Sequence, residues 1–518
     1  MTVPIQESPR RWWALLSLVP AVLAVGLDAT ILSVALATLG DELEATTGQL
    51  QWFVTAYALA FAAAMIPAGI LGDRWGRRRV LLGALVVFGL GSVACAAATG
   101  PISFIAARVV LGVGAAAIVP MALAATPYLF SEAERPRALG VLMSVTMLGF
   151  PLGPLLGGWL LTHAWWGWVF LINVPVVAIA LVALVALMPE SRGARAGRVD
   201  VGGAVLSAVA LTVLSYGVIE AGDRGWTDAR SVLLVLAGLG LVGAFVWWLR
   251  RTPEPMLDLR LFGSRAFSGG TVVAAVVSFV MMGLLFTLPL YTQAVHGLDA
   301  EASGLRLLPL IAGMLLTALP SGVLAQRVGA RTTIAAGMLL LGAGLAWGAT
   351  TALGDGSWAS ATWTAVCGAG LGMSLPTAMD AALGVLPSDA EGVGSAVLQS
   401  VRMVGSSFGA AILGSVLNAG YRGDLPLEQP PLRDLDPTAA AAARDSVVAA
   451  AEVAHRVGSP DLLVAARAAF VHGMDATLWV SAALAVAGAV LAVLALAGRD
   501  AAAASVEADS EHEHDPIG

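Results

Sequence analysis

Apolar residues in this chain come in blocks of about 20, separated by short charged stretches, and within a block there is little polar face. A helix crossing the hydrocarbon core of a bilayer takes about 20 consecutive apolar residues. Inside lipid, only a helix or a closed barrel satisfies its own backbone. Read between charged breaks, the blocks fall at 13–37, 50–71, 80–99, 102–125, 138–162, 167–188, 201–221, 231–249, 267–293, 303–325, 332–352, 359–385, 394–418 and 475–497. The pattern predicts fourteen spanning helices, and an even number puts both termini on one side. Segment 419–474 is the one sizeable piece outside the spans. In it, Asp436 before Pro437 and Ser459 before Pro460 are cap-then-proline signals for two short surface helices.

Composition narrows the class. Of 518 residues, 58% are hydrophobic and 12% charged, about half the charge of a soluble domain. A water-soluble enzyme is excluded, and so is a receptor with one anchor, since no long stretch reads as an independent soluble domain. With 59 glycines and 7% aromatics, the chain suits close-packed helices better than a barrel. The expected fold class is therefore all-α integral membrane. The first block begins at Trp12, is too long for a signal-peptide core and opens a series, so it is retained.

Charge placement gives the orientation. Alternate loops carry 18 of the 28 arginines, whereas the opposite short loops carry only Arg224 and Arg230. The positive-inside rule then puts both termini in the cytoplasm. The net charge of −7 comes from acids in the tail and between Asp424 and Asp475, and nothing points to nucleic acid. Cys95 and Cys367 lie within apolar blocks, and the only close histidine pair, His512 and His514, sits in the tail, so no metal site or disulfide framework is expected.

One repeat organises the chain. Gly69, Asp73, Arg74, Gly76 and Arg78 recur at the same offsets as Gly322, Gln326, Arg327, Gly329 and Arg331, 253 residues later. The first copy joins spans 2 and 3, and the second joins spans 10 and 11. Two six-helix bundles follow if spans 7 and 8 are an insertion, an arrangement of parallel repeats seen in transporters. The divisions are then 1–190, 191–265, 266–498 and a tail at 499–518. In the loop, Asp73 with Arg74, Arg77, Arg78 and Arg79 offers a breakable charged contact able to gate one side. Gln326 replaces the acid in the second copy, so the latch at Arg327 and Arg331 is expected to be weaker.

The stretch GILGDRWGRRR from Gly69 resembles the signature between helices 2 and 3 of the major facilitator superfamily. GLDATILSVAL from Gly26, RVVLGVG from Arg108, GFPLGPLLGG from Gly149, WWGWVFLINVP from Trp165 and PMLDLRLF ending at Phe262 resemble its fourteen-helix drug:proton antiporter branch. The resemblance covers nearly the whole chain. It implies a major facilitator fold of fourteen helices and proton-coupled efflux of drugs or antibiotics from bacteria, with protons as the coupling ion and no other cofactor. Membrane lipid and lipophilic small molecules are the implied partners of a monomer in the bacterial cytoplasmic membrane.

The residues support the same expectation. Gly149, Gly153 and Gly157 recur every fourth residue, a smooth face for close helix approach, with Pro154 and Gly158 beside it. In the family this motif marks antiporters. Asp28 lies roughly 14 Å and Arg108 about 9 Å in from the same side, and an ionisable group at such depth is a functional candidate. Asp28, Arg108, Asp380 and Glu220 are the candidates for proton coupling. Ser395, Gln399, Arg402 and Ser406 form a polar stripe on span 13 that should line the pathway, with Asp380 a possible partner of Arg402. Thr30, Trp52, Tyr57, Phe286 and Tyr291 join Gln399 and Arg402 as candidate pathway residues. Some family members that export lipophilic dications carry acids in span 13, where this chain has Gln399 and Arg402, so a neutral, zwitterionic or singly charged substrate is expected over a dication. The rival reading is a dedicated transporter of one native metabolite or nutrient. A membrane enzyme would need clustered His, Asp or Ser, and a channel a repeated filter, and neither is present in the sequence.

Overall fold

The structure is a computed structural model describing residues 10–130, 134–190, 200–253, 255, 257, 259–351, 357–386, 391–426, 433 and 435–496. The described residues are helical throughout, with no strands. The first half holds α1 (Arg10–Glu42), α2 (Thr47–Trp75), α3 (Arg77–Ala96), α4 (Pro101–Leu129), α5 (Arg135–His163), α6 (Trp168–Leu171) and α7 (Asn173–Leu187). Then come α8 (Val201–Arg224) and α9 (Ala229–Arg251). The second half holds α10 (Arg265–Leu290), α11 (Ala300–Arg306), α12 (Leu308–Val328), α13 (Ala330–Gly348), α14 (Ser357–Leu383), α15 (Glu391–Phe408), α16 (Gly414–Asp424), α17 (Pro437–Asp445), α18 (Val447–Val457) and α19 (Pro460–Ala495). Among the described residues, eleven helical units are long and apolar enough to cross a membrane. Helices α2, α5 and α14, of 29, 29 and 27 residues, bring the long units to the fourteen that hydropathy predicts.

Two expectations need adjustment. The signal at Ser459 and Pro460 does not start a short surface helix. It starts α19, whose 36 residues run on through the last span, because nothing between 460 and 475 breaks the helix. Asp475 is therefore half-buried within that helix and not at a span's opening. The signal at Asp436 begins α17, and α18 follows with its own Ser446 cap. Arg306 ends the short helix α11 within the apolar unit Ala300–Val328, which α12 continues.

Two bundles and a hairpin make up the fold. In the first bundle α1 packs on α5 and α7, while α2 and α3 lie along α4; in the second, α12 and α13 lie along α14, and α10 packs on α14, α15 and α19. The two copies of the sequence repeat turn identically. Gly76 at the α2–α3 corner has φ 107° and Gly329 at the α12–α13 corner φ 89°, a region costly for any residue with a Cβ. Apolar packing differs between the two ends. At the α1–α2 end, Ile31 to Leu39, Leu50 to Val54 and Phe104 share one continuous core with α10, α12 and α19. At the α2–α3 end the first bundle has a core of its own, built on Leu81, Leu85, Phe88 and Ile118. The molecule is therefore closed by a shared core at the α1–α2 end.

The spaced glycines of α5 do what their period suggests. A methyl on Gly149 would lie 2.6 Å from the Gly26 carbonyl carbon of α1, and one on Gly157 would lie 2.7 Å from Cγ1 of Ile31. Gly158 faces the other way, and its Cβ would meet the Ala300 carbonyl oxygen at 2.5 Å, while Gly304 presses on Pro154 in the same manner. Helix α5 thus joins α1 within its bundle and α11 across to the other. Gly149→Val should force these backbones apart and destabilise the fold by about 1–3 kcal/mol. Thermal unfolding in detergent checks it, with Gly83→Ala, whose Cβ meets nothing within 4 Å, as the neutral comparison.

Candidate functional site

Both bundles contribute to one central site. Asp28 on α1 is 0% exposed and Arg108 on α4 is 2% exposed. Arg108 Nη1 donates to Asp28 Oδ2 at 3.0 Å and to Oδ1 at 3.3 Å. Its Nε donates to the Phe53 carbonyl at 3.0 Å, and its guanidinium lies 4.4 Å from the centroid of the Tyr57 ring, within cation–π range. A lone charge at this depth is costly, so each charge requires the other.

A narrow cavity of about 80 Å³ opens beside the pair, lined from α1, α2 and α4 on one side and from α10 and α15 on the other. Arg108, Tyr57, Phe286 and Arg402 line it, with Met281, Met282 and Met403 supplying adaptable apolar wall. Such a volume holds a few waters and is smaller than the roughly 300–1,000 Å³ of ligand pockets. Arg402 reaches it with Nη1 donating to Gln399 Oε1 at 2.5 Å and Nε to Ser278 Oγ at 3.2 Å. Ser406 of the stripe lines the cavity as well, whereas Gln399 stands behind Arg402.

Other candidates lie elsewhere. Thr30 is buried in the α1–α5 seam, its hydroxyl donating to the Gly149 carbonyl at 3.3 Å. Trp52 sits where the hairpin docks, 6.3 Å from Tyr216 of α8 and against Val218 and Ile219. Tyr291 is 1% exposed in the core, edge-on to His296 at 4.8 Å. None of the three lines the cavity. Spans that are apolar all round give no sign of which face looks inward. Asp380 is exposed near the end of α14 and does not line the cavity. Glu220 pairs with Arg224 at 2.6 Å and Arg230 at 3.5 Å, tying α8 to α9, and does not line the cavity.

The arginine loop is bound within its own bundle. Arg78 Nη2 donates to the Val185 carbonyl at 2.5 Å and its backbone N–H to Glu190 at 3.2 Å. Arg79 stands 3.5 Å from the same carboxylate, and Arg77 lies 4.8 Å from the Tyr128 ring centroid. Among the described residues, the acid serving this corner is Glu190, just past α7, which the sequence reading overlooked because nothing in the motif includes it. The Asp73 side chain lies outside the described residues. Arg74 and Arg327 are exposed and Arg331 half-buried, and Gly69 has open space around it. At the opposite, closed end, Gln293 on the turn after α10 donates to the Val34 carbonyl of α1 at 3.0 Å. Thr47 there donates to the Asp445 carbonyl at 2.7 Å. Gln293 is a second bridging residue with no signal in the sequence beyond being a polar residue in an apolar block.

Comparison with known proteins bears on this arrangement. The model of the Major Facilitator Superfamily matches residues 18–410. The Tetracenomycin C resistance and export protein of Streptomyces glaucescens is 34% identical over 418 residues, 80% of this chain and 77% of that protein. The Methyl viologen resistance protein SmvA of Salmonella typhimurium is 32% identical over 491 residues, 94% of this chain and 97% of its own length. Among solved structures, a bacterial homolog to the human lysosomal transporter Spinster, inward-facing and unoccupied, aligns with a TM-score of 0.68 at 19% identity, covering 94% of this chain and 98% of that one. The xylose transporter XylE from E. coli, partially occluded and inward open, gives 0.60 at 13% identity, over 93% and 97% of the two chains.

Removing one member of the buried pair isolates the other. Asp28→Ala should cost about 3–5 kcal/mol of stability, and adding Arg108→Leu should recover part of that loss. A double-mutant cycle by thermal unfolding measures the coupling, and strictly additive losses would mean that the two side chains do not act as a pair.

Proposed function

The chain belongs to the major facilitator superfamily and is a multi-pass membrane transporter, not an enzyme; from that premise we propose that it exports lipophilic drugs or antibiotics across the bacterial cytoplasmic membrane in exchange for protons. The observation that carries the reading is the fully buried Asp28–Arg108 pair beside a cavity shared by both bundles. Relatives named for resistance to tetracenomycin C and methyl viologen support the export direction.

The coupling follows from charge balance. With Asp28 ionised, its charge cancels that of Arg108 and the cavity wall is close to neutral on that side. A proton arriving on Asp28 turns the carboxylate into a neutral acid, so Arg108 loses its counter-charge and is held by neutral groups, the Phe53 carbonyl and the Tyr57 face among them. That arginine is then an uncompensated cation at the bundle seam. Its release changes what holds α1 to α4, next to the seam along which the bundles would tilt. Losing the proton restores the pair. Each proton moving inward supplies about 1.36 kcal/mol per pH unit and about 2.3 kcal/mol per 100 mV. Both termini would face the cytoplasm by the arginine rule.

Two guanidiniums in the cavity, one neutralised by Asp28 and the other bonded, among the described residues, to the neutral Gln399 and Ser278, favour neutral, zwitterionic or singly charged compounds. Methionines and Phe286 would accept apolar bodies of varied shape. A dedicated exporter of one native metabolite is the second reading, supported by the relative named for a single compound.

Inverted vesicles energised by a pH gradient, acid inside, should accumulate a fluorescent lipophilic drug, and collapsing the gradient should release it. Asp28→Asn, which keeps shape but cannot ionise, should reduce that accumulation by about tenfold or more. Full accumulation by Asp28→Asn would remove the carboxylate from the mechanism.

A further inference from the structure

Outside the central cavity, the first bundle carries a second and much larger opening. Helices α2 and α3 each lie along α4, but toward the corner between them they part and leave a groove of about 810 Å³. Its walls are apolar: Pro67 and Leu71 on one side, Gly83 and Val87 on the other, with Val113 and Ala117 as the floor. Two arginines, Arg74 and Arg79, stand at the corner end with Trp75 beside them. Arg74 is exposed, Trp75 is 58% exposed, and the Arg79 side chain, 70% exposed, has its carboxylate partner no nearer than 3.5 Å.

We propose that this groove is a binding site for an anionic phospholipid, with one acyl chain lying between α2 and α3 and its phosphate on Arg74 and Arg79. The inference needs only that the helices span a bilayer, and not the proton-coupled export proposed above. The groove runs between two spanning helices, at the depth of lipid tails, where leaving an apolar trough to water would be costly and a tail fills it at no cost. Guanidiniums present forked donors that suit phosphate, and basic pockets between spanning helices at the cytoplasmic side suit anionic head groups. An exposed tryptophan at that level fits the interface between tails and water. A zwitterionic lipid gains the tail contacts but brings a cationic head group against the two arginines. The site would then discriminate by head group while the groove supplies affinity.

Full-length protein purified in detergent, mixed with phosphatidylglycerol or phosphatidylcholine of the same acyl chains, provides the test by native mass spectrometry. The wild type should retain phosphatidylglycerol about tenfold more strongly. Arg74→Gln with Arg79→Gln should erase the preference yet keep some lipid. Gly83→Phe fills the groove from a position whose Cβ meets nothing within 4 Å, and should lower retention of both lipids. If the arginine double variant fails to fold, Gly83→Phe carries the test alone. Equal retention of the two lipids by the wild type would overturn the proposal. So would retention of both lipids left unchanged in Gly83→Phe, a phosphatidylglycerol preference that survives in the folded arginine double variant, or a dimer of this chain that Gly83→Phe dissociates in place of a lipid adduct.

Discussion

A charge buried among membrane-spanning helices cannot remain alone, and this constraint fixes much of what the molecule does. Asp28 and Arg108 satisfy it mutually, across two helices of one bundle, with the Phe53 carbonyl and the Tyr57 ring taking up what the carboxylate leaves over. Helices α1, α2 and α4 are thereby held in register at the level of the central cavity. Arg402, facing them from the second bundle, is satisfied differently, by the neutral groups of Gln399 and Ser278. The two walls therefore differ electrically, one balanced and one positive.

Packing divides the molecule along its length. Close contacts at the α1–α2 end are of the kind that resist sliding: backbone against backbone at Gly158 and Gly304, and the amide of Gln293 on the Val34 carbonyl. The π-helical turns Tyr291–Val295 and Gly409–Leu413 lie on the helices bordering this region. Single π-turns interrupt the regular ladder and are common near functional sites. At the α2–α3 end each bundle holds to itself, and the arginines of the corner are stitched to Val185 and Glu190 of their own half. A motion that opened the first end would have to separate the shared core and bring the two separate cores together.

Hydropathy alone made the spans legible, since each is a block of apolar residues between charged breaks. The repeat was legible too, because Gly76 and Gly329 sit where a positive φ is required. Asp28 and Arg108 stood out because depth could be counted along a helix. What could not be read was rotation. A helix apolar on every side gives no clue to which face meets a cavity, so Phe286 lines it while Tyr291 and Thr30 are packed away. Partners from distant segments were equally hidden: Trp52 belongs to the contact with α8, and Glu190 serves a corner 112 residues before it.

The hairpin of α8 and α9 breaks the twofold likeness of the two halves. Ser415 donates to the Val218 carbonyl at 2.8 Å and Asn418 to that of Gly222 at 3.4 Å, and Trp52 of the first bundle meets Tyr216 on the same helix. One flank of the junction is consequently roofed by protein that grips both halves, while the flank where α5 meets α11 carries no such roof among the described residues. A body assembled from near-duplicate parts thus has a left and a right, and a solute dissolved in the surrounding bilayer meets a wall on one side and a bare joint on the other.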